Sequence, residues 1–180
     1  MIHPVDQSKN NKHTPNKKIR IGISFAVIIV ALLVIFMPKK TATDTSTSPI
    51  TPVFQKQGVC TITTPNNKLK VSIDIEIADD ESKREVGMMG RSTMDEHQGM
   101  LFVLEEVQMA SFWMKNCPLS LDMIFINKFG EIVSICKNTT PFSEQAYSAT
   151  ALTFFVLEVN AGFSDKYGIT EGDRISWKRL

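Results

Sequence analysis

From residue 21 to residue 37 the chain carries no charged side chain. The run, IGISFAVIIVALLVIFM, is apolar on every face of any helix it could form, with only Gly22 and Ser24 as mild interruptions. A helix buried in a soluble domain usually shows one apolar stripe, whereas one that is apolar all round suits lipid. At about 1.5 Å per residue, the run and its flanks just cross a hydrocarbon layer of about 30 Å. A cleaved signal peptide is the rival reading. Its apolar region is usually about 7–15 residues and ends in small residues around a cleavage point. Here Pro38, Lys39 and Lys40 follow the run, and Lys40 spoils the cleavage pattern around Ala42. No cysteine follows that could carry a lipid. The run is therefore expected to be an uncleaved transmembrane anchor over residues 21–37.

Charge sets the expected orientation. Lys9, Lys12, Lys17, Lys18 and Arg20 precede the anchor, while Lys39, Lys40 and Lys56 follow it. Positive flanks stay in the cytoplasm. Residues 1–20 read as a basic cytoplasmic tail on the inner membrane, with the C-terminal part outside. Residues 38–58 are rich in Thr, Ser and Pro and cannot bury enough apolar surface to order themselves, so they read as a tether. Residues 59–180 are left as the extracytoplasmic domain.

That domain holds 12 Lys and Arg against 17 Asp and Glu, a net −5. An acidic domain is a poor nucleic-acid binder, so the expected partners are the bilayer, through the anchor, and a small ligand or an envelope protein. Cys60, Cys117 and Cys136 would sit in an oxidising compartment where a disulfide is possible, though their connectivity is open. No CxxC and no zinc spacing is present, and no metal or other cofactor is expected.

Residues 69–77 alternate apolar and polar side chains, as a half-buried strand does. Asp79 or Asp80 can cap a short helix running to about Met89, closed by Gly90. Further strands are expected over 100–104, 110–116, 121–127, 131–137, 153–160 and 174–178. A Gly-containing hairpin joins 121–127 to 131–137. Asn160 is expected to cap a last helix over 161–167. These elements predict an α+β, mainly β domain: a small, mostly antiparallel barrel or rolled sheet with two short helices, behind one N-terminal transmembrane helix.

Several runs carry a resemblance: Arg84-Glu85-Val86-Gly87-Met88-Met89 with Arg91, Gly99-Met100-Leu101-Phe102, Phe112-Trp113-Met114-Lys115-Asn116 with Leu121-Asp122, Leu157-Glu158-Val159-Asn160-Ala161-Gly162, and Gly172-Asp173. Across residues 69–180 the chain resembles the uncharacterised family catalogued as domain of unknown function 192. That family usually has Leu at Met88, Thr at Cys117 and Pro at Ser120. The resemblance implies a compact β-rich domain, often behind a signal peptide or anchor, and no established activity.

Five residues are candidates for ligand binding: Trp113, Lys115, Asp122, Arg91 and Glu158. Asp122 lies within an apolar strand, where a carboxylate must be paired or line a pocket. Lys115 or Arg91 could pair with it beside Trp113, and an aromatic with an amine and a carboxylate would suit a sugar or another small polar ligand. A buried ion pair closing the sheet is the competing account. Glu158 could pair with Arg91 or Lys115 without any functional role. Seven methionines fall between Met88 and Met123. With Cys117 they could hold Cu(I), although Met is more often adaptable core filler. His97, in a polar turn, is the only histidine of the domain, which leaves a Ser–His–Asp triad or multi-His zinc site little to use. No catalytic residue is assigned. Three functions follow: a small-ligand binding module, a protein-interaction module, or a carboxylate-based glycan hydrolase using Asp122 and Glu158. The first is expected.

Overall fold

The computed structural model describes residues 52–180. The basic tail, the anchor and residues 38–51 of the tether lie outside the described residues. Among the described residues no helix is long and apolar enough to cross a membrane.

The chain order is β1 (Gly58–Thr63), β2 (Leu69–Ala78), α1 (Glu81–Val86), β3 (Gln98–Gln108), β4 (Ser111–Phe112), β5 (Leu121–Ile126), β6 (Ile132–Cys136), β7 (Tyr147–Ser148), β8 (Thr153–Asn160), α2 (Phe163–Lys166) and β9 (Arg174–Arg179). Seven strands form one sheet in the order β6-β5-β8-β3-β2-β1-β9, and β4 pairs with β7 separately. Within the large sheet only β2 and β3 run parallel. A parallel neighbour needs a crossover, supplied here by α1 and residues 87–97.

The sheet rolls until its two edges touch at one end. Glu131 bridges to Arg174, and the Ile175 amide donates to the Gly130 carbonyl at 2.7 Å. Gly130 permits this approach, because a Cβ there would sit 2.7 Å from the Ile175 carbonyl oxygen. Strands β6 and β9 form no continuous ladder, so the sheet is rolled and not closed as a barrel.

Both faces of the sheet are covered. One cluster gathers Ile62, Ile73, Ile75, Ile77, Leu101, Ile124, Leu157 and Val159, and includes Phe163 of α2. The other gathers Met88, Met100, Phe102, Met114, Leu121, Met123, Phe125 and Val156. Strand β5, Leu-Asp-Met-Ile-Phe-Ile, is buried at all six positions because alternate residues feed alternate clusters. A strand covered on both sides reads as a continuous apolar run. Met88, Met100, Met114 and Met123 all fill the second cluster, the packing role to which a flexible thioether is suited.

Several local expectations are corrected. Helix α1 stops at Val86, not at Met89, because Gly87 leaves the helical region at φ 46°. Of the expected strand 110–116 only Ser111–Phe112 pairs, and Asn116 turns the chain at φ 56°. Asn160 does not cap α2. Its amide donates instead to the carbonyls of Met94 at 2.9 Å and Asp95 at 3.2 Å, and Gly162 takes the cap position. The end of the tether also packs on the domain: the Gln55 amide donates to Glu76 Oε1 at 2.6 Å, and Gln57 Oε1 accepts from the Ile77 amide at 2.7 Å.

Candidate functional site

The register of the sheet places Glu76, Met100, Glu158, Met123 and Cys136 opposite one another in one row across β2, β3, β8, β5 and β6. Side chains alternate along a strand. Leu157 and Val159 therefore enter the first cluster, and Glu158 between them faces the second. Helix α1, the turn after it and residues 111–117 lie over that face. Between them and the sheet is a cavity of about 230 Å³. Met88, Phe102, Phe112, Met114 and Leu121 form its apolar walls, with Arg84, Trp113 and Lys115 also lining it.

Glu158 lines this cavity and is 4% exposed. Among the described residues its carboxyl has no hydrogen-bond or ion-pair partner. Burial away from water pushes the group up to about 8, because desolvation disfavours the charged form. At neutral pH it is largely a neutral acid, able to donate one hydrogen bond and accept others.

Trp113 is 52% exposed, and Lys115 Nζ lies 5.0 Å from the centre of its ring. The cation sits within cation–π range. No carboxylate among the described residues lies within ion-pair distance of Lys115. Arg84 is engaged: its guanidinium donates to the Val103 carbonyl at 3.1 Å and pairs with Glu105.

Asp122 and Arg91 belong elsewhere. Asp122 is fully buried and faces the first cluster's side of β5, opposite to Glu158. Its Oδ1 accepts from the amides of Asn138 at 2.9 Å and Gly162 at 3.2 Å, and its Oδ2 from Ser164 at 2.8 Å. It is a backbone clamp that holds the start of α2 against the sheet. Neither Lys115 nor Arg91 pairs with it. Because Asp122 and Glu158 point to opposite faces, they cannot flank one glycosidic bond. Arg91 pairs with Glu76, beside a second cavity of about 380 Å³ lined also by Pro52, Val53 and Gln55. Val86 and Gly87 line both cavities.

The cysteines are all free thiols. Cys60 packs in the first cluster, and burial pushes its thiol up to about 12. Cys117 belongs to the second cluster and is pushed up to about 11 by burial.

The family described as Uncharacterized ACR, DUF192, matches residues 61–177. The chain belongs to the DUF192 family. A proposed transcription regulator from Sinorhizobium meliloti, 35% identical, has a similar structure with a TM-score of 0.66, covering 70% of this chain and 97% of that one. A protein of unknown function from Novosphingobium aromaticivorans, 30% identical, has a TM-score of 0.65 and covers 78% of this chain and 100% of its own. No curated protein matches.

The runs that carry the DUF192 resemblance converge on the 230 Å³ cavity. Residues 84–89, Phe102, residues 112–115, Leu121 and Glu158 all line it, although they are separated widely in sequence. The remaining motif residues hold the frame: Arg91 by its ion pair, Asp122 by its clamp, and Asp173 by a 2.5 Å contact to Lys70. The sequence names Glu158 as a candidate but offers Arg91 or Lys115 as its partner, and neither pairs with it. Its place in β8 between two core residues, with no basic residue opposite it in β3 or β5, was the available signal. The walls Met88, Phe102, Phe112, Met114 and Leu121 are not among the sequence candidates.

Proposed function

We propose that this DUF192 chain is a membrane-tethered, extracytoplasmic binding module whose cavity takes a small polar ligand of the cell envelope. The observation that supports this best is the unpartnered Glu158 carboxyl, set at the floor of a cavity with mainly apolar walls. The Glu158 carboxyl opens onto the cavity and meets no protein partner there. A ligand group that bonds to it gains both affinity and orientation. Sites of this kind are mostly apolar with a few placed polar groups. Trp113 offers a half-exposed ring on which the rest of the ligand can stack. Lys115, Trp113 and Glu158 remain in the ligand-binding set, whereas Asp122 and Arg91 serve the scaffold. DNA contact, which the description of the S. meliloti relative would suggest, is disfavoured by the net −5 of the domain.

The test is thermal unfolding of the full-length chain in detergent against envelope sugars, amino sugars and amino acids. A ligand at about 100 times its dissociation constant adds roughly 2.7 kcal/mol, a shift of several degrees. The shift should be present in the parent and lost in Glu158→Gln and Trp113→Ala, both folded. If shifts persist undiminished in both variants, the ligand binds elsewhere and this assignment fails.

A further inference from the structure

The cavity has an unpartnered carboxyl at its floor and an ammonium without an ion-pair partner at its mouth. The Glu158 carboxyl is buried and has no cation within ion-pair distance among the described residues. The Lys115 ammonium is exposed, rests on the Trp113 ring, and has no carboxylate within ion-pair distance among the described residues. Between them the walls are Phe102, Phe112, Met88 and Met114. The charged groups near Glu158 are few. Helix α1 contributes Arg84, which is spent on Glu105, and Glu85; the segment after β4 contributes Lys115 and the Cys117 thiol. The neighbouring strands contribute only uncharged side chains, Met100 and Met123, at the facing positions.

We propose that the cavity takes a small zwitterion of amino-acid type, its ammonium on Glu158, its anionic group on Lys115, and its apolar body against the aromatic and methionine walls. The proposal rests on the small-ligand reading above and narrows it. At about 230 Å³ the space is below the roughly 300–1,000 Å³ of drug-sized sites, which favours a ligand of single amino-acid size. A neutral sugar would leave Lys115 unused, and a simple anion held on Lys115 would leave the Glu158 carboxyl without a partner. An ammonium entering next to the protonated carboxyl breaks the Glu158 O–H bond; the proton leaves to solvent, and a carboxylate–ammonium pair forms.

The test is isothermal titration of the full-length chain in detergent micelles. The probes are leucine and phenylalanine of both hands, leucinamide, 4-methylpentanoate, and glucose with glucosamine as sugars. At least one of the free amino acids should bind. For leucine, leucinamide (no carboxylate) and 4-methylpentanoate (no ammonium) should each bind at least about tenfold more weakly; if phenylalanine binds instead, its amide and its deaminated acid take their place. Binding should release a proton, read from the dependence of the heat on buffer ionisation enthalpy, and should tighten from pH 6 to pH 8. Lys115→Ala, an exposed position, should lose the distinction between leucine and leucinamide, and Glu158→Gln that between leucine and 4-methylpentanoate. Sugar binding with no amino-acid binding would overturn the zwitterion and leave the small-ligand reading standing. Equal binding of leucine and both analogues would do the same. No binding by any probe, with Glu158→Gln and wild type alike, would sink both.

Discussion

Glu158 and Asp122 are two acidic residues on adjacent strands, each between apolar neighbours, and their surroundings give them opposite tasks. Asp122 accepts three backbone amides; Glu158 accepts none. The difference sets a pH signature. The Glu158 carboxyl is raised from 4.5 to about 8 in the folded chain. Between those values the native state holds a proton that the unfolded state has released, so stability falls as pH rises through that window. Glu158→Gln cannot ionise, so it should remove that slope and be the more stable chain at pH 9 by a few kcal/mol. Urea midpoints from pH 4 to pH 9 check this; a parallel decline in the variant would mean that another group is responsible. Asp122→Ala strands three amides, two of them beside α2, and at about 1–3 kcal/mol for each unsatisfied group the loss should reach roughly 3–5 kcal/mol. The burial of Asp122 was legible in the sequence as an acid inside an apolar run. Its partners were not, because main-chain amides from residues 138, 162 and 164 leave no mark in residue type. A sequence reading looks for a basic side chain and so names Lys115 or Arg91.

The elements show the same division. Strand β2 was legible because period-two alternation marks one buried and one wet face, and the nine residues read as a strand lie within Leu69–Ala78. Strand β5 gives no alternation, yet its continuous apolar run and length still mark a strand. The segment after β4 misled, since its aromatic residues favour a strand by propensity while Asn116 breaks it by adopting a left-handed turn. Tertiary packing of Phe112 against Phe102, with ring centres 5.0 Å apart, holds that segment over the cavity. The approach of β3 to β8 is fixed at Gly99, where a Cβ would lie 2.8 Å from the Glu158 carbonyl oxygen and 3.1 Å from Val159 Cγ1. Gly99→Ala must spread the two strands that form the cavity floor. A loss of about 1–3 kcal/mol is expected from the overpacking, seen as a lower urea midpoint. Ligand-induced stabilisation should shrink in the same variant, because Glu158 moves with its strand. Unchanged stability would show that the sheet absorbs the methyl elsewhere.

For the molecule as a whole, the proposal depends on which side of the membrane the domain occupies, and the cysteines can report it. Cys60 is fully buried on one side of the sheet and Cys117 is buried on the other, whereas Cys136, at the edge strand β6, is only partly covered. Burial raises all three thiols, and the thiolate is the species that reacts. A membrane-impermeant maleimide at about pH 8.5 should therefore modify Cys136 first and leave the other two until denaturant is added. The proposal puts the domain outside on the strength of the positive residues ahead of the apolar run. In spheroplasts expressing the full-length chain, the reagent should then label one thiol without permeabilisation, and Cys136→Ser should abolish that label. Alkaline washing should leave the chain in the membrane pellet, as a spanning helix requires. Labelling that appears only after the membrane is breached would put the domain in the cytoplasm. The cavity and its Glu158 chemistry would survive that result, but an envelope ligand would not, and cytoplasmic metabolites would have to replace it as the titration panel.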